Sequence, residues 1–232
     1  MTQVLRGNIV HAPKMGELSI LERGYMVLED GVIRGIYPVL PEELAQYGSI
    51  PVINGLTDYA HPCQVLADLM TIREYKDRLA GLKLCFVGDG NNMANSLIAG
   101  CVKMGMAVRI ACPAAHQPDA ALMAWARENG DFDCQPDVLA MVSGADVVYT
   151  DVWASMGQEA EAEARRQAFR GYQVNAQAMA AAAADAMVLH CLPAHRGEEI
   201  TEDVLEAHAN QIFDEAENRL HAQKAVLATL LR

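Results

Sequence analysis

The chain has 232 residues, 52% of them hydrophobic and 21% charged, with a formal net charge of −12. That length accommodates one large or two small domains with a real core, in a composition typical of soluble globular proteins. The acidic balance argues against nucleic acid as the main partner, because neutralising phosphates takes a basic surface; a small anionic substrate held in a local cationic pocket remains compatible with it.

No run of about 18 apolar residues occurs, so no membrane span is expected. The start, MTQVLRGNIVHAP, lacks the apolar core of an export signal. Six scattered cysteines without a CxxC pair then read as reduced thiols of a cytoplasmic protein, most of them small buried hydrophobes.

Residues 4–10 and 25–36 read as β. In YMVLEDGVIRGIY two apolar runs flank Glu29-Asp30-Gly31, and Asp-Gly in that setting predicts a hairpin. After Pro41 the pattern changes: 42–47 looks helical and IPVIN (50–54) is a short β-branched run. From there the chain alternates. HPCQVLADLMTIREYKDRLAG carries Val65, Leu66, Leu69, Met70 and Ile72 at helical spacing and is ended by Gly81. LKLCFVG (82–88) predicts a buried strand, NNMANSLIAGCVKMG a helix, AVRIACP a strand, and DAALMAWARENG a helix closed by Gly130. PDVLAMVSG predicts a short helix, DVVYTDV (146–152) a strand, EAEAEARRQAFRG a charged helix, and MVLHCLP (187–193) a strand. Two helices close the chain, the first with Thr201 as N-cap and Glu202 and Asp203 in its first turn.

This alternation implies an α/β fold, a doubly wound parallel sheet with helices on both faces, preceded by a small β-hairpin segment. Ligands of such folds bind beyond the carboxyl ends of the strands. Three chemically loaded segments fall there: Gly88 to Asn92, Asp151 to Gly157, and His190 to Arg196.

Each segment has a functional and a plain reading. GDGNNM opens a helix after a strand, where backbone N–H groups favour an anion. It lacks the third glycine of the dinucleotide fingerprint, and no cofactor is expected. Asn91 or Asn92 could cap the helix; one suffices, which leaves the other to bind. Asp151 at a strand end could hold an amine, and Ser155 reads equally as ligand or N-cap. Cys191 beside His190 suggests a thiol nucleophile. Adjacent strand residues face opposite sides, however, so His190 cannot readily serve it. No metal-ligand spacing supports a metal site. His61 and Gln64 lie one helical turn apart and either contact one small polar ligand or are a cap and a surface glutamine.

Taken together, ELAQYGSIPVINGLTDYAHPCQ, FVGDGNNMANS, DVWASMGQE, HCLPAHRGEEIT and DEAENRLHAQKAVL, in that order, resemble an ornithine carbamoyltransferase. The resemblance implies carbamoyl phosphate and ornithine as substrates and citrulline and phosphate as products. It implies that His61, Gln64 and Arg219 contact the carbamoyl group, and that Asn92, Asp151, Ser155 and Met156 hold ornithine. Cys191 and the Leu192 backbone would then orient both substrates, with Cys191 a positioning group and not a nucleophile.

The family's Ser-x-Arg-Thr phosphate motif is absent from residues 1–60. The stretch LRGNIVHAPKMGELSILERGYMVLEDGVIRGIYPVLPEE instead resembles the start of a guanine deaminase of the amidohydrolase class, without that class's His-x-His metal motif. The expected organisation is therefore a β-rich segment over 1–40 and an ornithine-binding α/β domain over 41–232. The carbamoyl phosphate domain is expected to be missing and turnover to be weak. The rival expectation is a non-catalytic amino-acid-binding or assembly module, and a homo-oligomer stays in view under either.

Overall fold

Short runs of four or five residues, all but one of them apolar, set the main sheet. β4 (Lys83–Val87), β5 (Ala107–Ala111), β6 (Phe132–Gln135), β7 (Val147–Thr150) and β8 (Met187–His190) pair in parallel in the order β6-β5-β4-β7-β8. The computed structural model describes residues 2–11, 19–29, 32–37, 53–154 and 162–230. They fall into two compact units, Met1–Leu56 and Thr57–Arg232. The expected junction at 40–41 and the expected helix at 42–47 lie outside the described residues.

In the first unit β1 (Thr2–His11), β2 (Ser19–Glu29) and β3 (Val32–Tyr37) form an antiparallel sheet in chain order. Glu29 pairs with Val32, the register that a two-residue connection produces, and a bulge follows between Val27 and Leu28. Asp30 and Gly31, the expected turn, lie outside the described residues.

The second unit buries both faces of its sheet, as a parallel sheet must. Successive strand residues go to opposite cores. Leu84, Phe86, Val108, Ile110 and Tyr149 pack on one side, and Cys85, Val87, Ala111, Val148 and Val188 on the other. The first core is closed by α1 (Pro62–Lys76), α2 (Asn92–Lys103) and α3 (Ala120–Asn129) through Val65, Ile72, Leu97, Ile98, Met123 and Ala126. The second is closed by α4 (Val138–Val142), α6 (Ala176–Ala181), α7 (Glu202–Ala207) and the N-terminal turn of α8 (Ala209–Leu230), through Met141, Val142, Met179, Val204, Leu205 and Ile212. α5 (Ala162–Ala168) follows the loop after β7. The doubly wound expectation is thus met.

Two elements went unread in the sequence. β6, FDCQ, at the sheet edge, is too polar to register as an apolar run. α6 lies in the alanine-rich stretch, which has no periodicity to read. Thr201 does stand at the N-cap of α7, but its hydroxyl does not accept from the helix.

Chain order fixes where a site can form. From β4 the sheet grows outward through β5 and β6, then the chain returns and grows the other way through β7 and β8. The switch point therefore lies between β4 and β7, and the three loaded segments follow the adjacent strands β4, β7 and β8.

Gly90 holds the first of these segments in place. A Cβ there would lie 2.3 Å from the Gln117 carbonyl carbon and the Pro118 nitrogen, and its N–H donates to the His116 carbonyl at 2.9 Å. Backbone cannot yield as a side chain can, so Gly90→Ala is expected to cost about 1–3 kcal/mol or more in chemical denaturation. Gly55→Ala, with nothing within 4 Å, is expected to change stability by less than about 0.5 kcal/mol.

Candidate active site

The site is built at the carboxyl edge of β4, β7 and β8, with α1 and α8 alongside. Asp151, immediately after β7, is buried and takes three donors. Asn91 Nδ2 donates to its Oδ2 at 2.9 Å, and the Cys191 thiol and the Val152 N–H donate to its Oδ1 at 3.1 and 2.8 Å. One aspartate thus joins all three strand-end segments.

Of the two asparagines, Asn91 is the cap: its Oδ1 accepts from the Met93 and Ala94 N–H groups. Asn92 donates instead to the Thr57 carbonyl at 2.9 Å. Ser155 and Met156 lie outside the described residues. Deeper in the first loop, Asp89 pairs with Arg165 at 2.8 Å, and its burial raises its carboxyl pKa against the pull of that arginine.

His190 and Cys191 diverge, as their strand positions require. The His190 ring is buried, its Nδ1 accepts from the Leu192 N–H at 2.9 Å, and its Nε2 lies 3.1 Å from Glu199 Oε1. An Nδ1 that accepts leaves the proton on Nε2, which therefore donates to Glu199. Glu199 also accepts the His195 N–H. This bracing carries Leu192 at φ 51, a left-handed conformation that a leucine adopts only under constraint. Cys191 is half-buried against the first core. Burial, then the Asp151 carboxylate, pushes its thiol well above the usual range, so it is a protonated donor at neutral pH.

On the helix side, His61 stands at the N-cap of α1 ahead of Pro62, and its N–H donates to Ser96 Oγ at 2.7 Å. Gln64 is buried rather than on the surface: its Oε1 accepts from Arg219 Nη1, and its Nε2 donates to Asp68 at 2.9 Å and Glu215 at 3.1 Å. Arg219 Nε is buried with no acceptor among the described residues. The expected residues His61, Gln64 and Arg219 thus fall on α1 and α8, whose packing joins Gln64 to Arg219.

Sequence reading passed over Asp68, Tyr149, Glu199 and Glu215. A signal existed for two of them: Asp68 lies four residues after Gln64, and Glu215 four before Arg219, one helical turn from a residue already singled out. Asp151, His190 and Cys191 present donor atoms close enough together to hold a metal ion, as do His195, Glu198 and Glu199. In the first group, though, the His190 nitrogens are taken by Leu192 and Glu199.

Comparison with known proteins settles the family. The Asp/Orn binding domain model of aspartate/ornithine carbamoyltransferase matches residues 80–230. The chain belongs to the aspartate/ornithine carbamoyltransferase family. The carbamoyl-P binding domain model of the same family matches residues 25–74. That corrects two expectations. The carbamoyltransferase match begins at Tyr25, inside the stretch that resembles a deaminase, and the carbamoyl phosphate domain cannot be taken as missing. The chain is 57% identical over 195 residues to the ornithine carbamoyltransferase of Gloeobacter violaceus, covering 82% of this chain and 62% of that protein. It is 50% identical to that of Nostoc punctiforme, covering all of this chain and 74% of the relative. The chain thus spans somewhat under two thirds of the former relative's length. Among solved structures, the ornithine carbamoyltransferases of Gloeobacter violaceus and Pyrococcus furiosus each superpose with a TM-score of 0.74. Their identities are 54% and 53%, over 82% and 81% of this chain and 66% and 61% of theirs. No helix among the described residues is long and apolar enough to cross a membrane.

The protonated state of Cys191 is open to test. Alkylation by iodoacetamide at pH 8 is expected to be slow, and faster by roughly threefold to tenfold in Asp151→Asn, where the negative charge holding the proton on sulfur is gone. The other five cysteines are buried, so the rate reports on Cys191. An unchanged rate would contradict the Asp151–Cys191 coupling.

Proposed function

We propose that this carbamoyltransferase-family chain transfers a carbamoyl group from carbamoyl phosphate to the δ-amine of ornithine, giving citrulline and phosphate. The observation that carries this reading is the convergence on Asp151, at the switch point of the sheet, of the segments after β4, β7 and β8. An aspartate already shaped as an acceptor of three donors suits the α-ammonium group of an amino acid. In this reading Asp151, Asn92, Ser155 and Met156 hold ornithine, while Cys191 and Leu192 orient it toward the carbamoyl group.

His61, Gln64 and Arg219 take the carbamoyl side. The amine attacks the carbamoyl carbon, negative charge builds on its oxygen, and the C–O bond to phosphate breaks as the amine loses a proton. Developing charge calls for fixed donors, and the buried Arg219 Nε–H, without an acceptor among the described residues, is one such donor. A protonated Cys191 thiol supports a direct transfer without a covalent enzyme intermediate.

A second reading, an assembly module, is favoured by one observation. Leu66 and Met70 of α1 and Ala222, Val226 and Leu230 of α8 line an apolar groove. A monodisperse monomer in sedimentation would count against it.

Calorimetric titration with ornithine tests the first reading. Asp151→Ala is expected to weaken binding by roughly 30-fold or more, the loss of a buried charged partner worth about 2 kcal/mol. Unchanged affinity in that variant would sink the assignment of Asp151 to ornithine.

A further inference from the structure

Two buried carboxyl groups stand behind the carbamoyl side of the site. Asp68 on α1 and Glu215 on α8 are both inaccessible to solvent. Both converge on one nitrogen, Gln64 Nε2, at 2.9 and 3.1 Å.

Their hydrogen-bonding differs sharply. Glu215 is an acceptor on every side. Its Oε1 takes the Tyr149 hydroxyl at 2.9 Å and Gln64 Nε2, and its Oε2 takes the His190 N–H at 2.9 Å. Asp68 receives Gln64 Nε2 on Oδ1, while its Oδ2 has no donor among the described residues. The two carboxyl groups meet at that one nitrogen, an oxygen of each within 3.1 Å of it. An oxygen without a donor, beside a carboxylate, is where a shared proton sits. Burial, then the negative charge of Glu215, holds the Asp68 carboxyl well above its usual range.

We propose that Asp68 and Glu215 share one proton, carried on Asp68 and donated to Glu215, and so act as positioning residues that fix the Gln64 carboxamide. With both carboxyl groups occupying its NH2, Gln64 must turn its oxygen to Arg219, and Arg219 is thereby set with its Nε–H free of acceptors among the described residues. Glu215 also ties the end of β8 to α8 through the His190 N–H, next to Cys191. The titratable groups facing the pair are Tyr149 from β7, whose hydroxyl is pushed up by burial, His190 from β8, Cys191 just beyond it, and Cys101 of α2. The positioning role rests on the carbamoyl-transfer reading above; the shared proton does not.

Infrared spectroscopy of the whole chain between pH 7 and 9 tests the proton. The carbonyl stretch of a protonated carboxyl is expected in the parent and absent in Asp68→Asn, an amide that imitates the neutral acid. No such band in the parent, or one that survives Asp68→Asn, would overturn the proposal. Nitrogen NMR of the Gln64 side chain tests the positioning. Its NH2 protons are expected to stay protected from exchange in Asp68→Asn and to lose protection in Glu215→Gln, which puts an amide where donors converge. Equal protection in all three proteins would also overturn it. If Glu215→Gln does not fold, the band in the parent and its loss in Asp68→Asn still decide. Neither readout needs turnover. A parent that makes no citrulline would defeat the reaction assignment and leave the shared proton standing.

Discussion

Glu215 is the residue on which the site geometry turns. It sits on α8, yet its three bonds reach α1, β7 and β8. A carboxylate at 0% exposure is costly unless every lone pair is used. The cost is offset by donors from three other elements, and those elements must therefore be held where the donors are. The edge of the sheet and two helices distant in sequence are locked to one another by the requirement to satisfy a single buried charge. Asp151 works in the same way nearer the surface, joining the loops after β4, β7 and β8.

Between the two acidic centres lies the short stretch from His190 to Leu192. His190 gives its N–H to Glu215 and its ring to Glu199, while the next residue gives its thiol to Asp151. The left-handed Leu192 is tolerated because its N–H is bonded back to the His190 ring. Alternation along a strand thus sends one side chain against Glu199 and the next toward Asp151 in the site. It explains why a cysteine and a histidine that are neighbours in sequence do not form a nucleophilic pair.

The sheet was legible because compact apolar runs bounded by turn residues leave few alternatives, and DVVYT and MVLH could only be buried strands. FDCQ was not, since an aspartate and a glutamine among its four residues leave no apolar run to read. In the site, residues with unusual local settings, Asp151, Cys191 and the paired asparagines, stood out at strand ends. Asp68 and Glu215 did not. Each reads as an ordinary charged helical residue until α1 and α8 pack together, 147 positions apart at Asn218 and Thr71, and burial turns a solvated face into an interior one. The deaminase-like reading of the N-terminal stretch finds no support in the comparisons, for a related reason. Hairpins with Asp-Gly turns are shared by unrelated folds, and such a turn carries little information about family.

As proposed above, these residues form a working carbamoyl-transfer site within this chain. The most direct measurement is citrulline formed from ornithine and carbamoyl phosphate by the full chain, beside the same protein carrying Gln64→Ala. Citrulline above the uncatalysed background is expected in the parent, and loss of most of it in the variant. No citrulline from a folded parent, or equal amounts from both proteins, would contradict it.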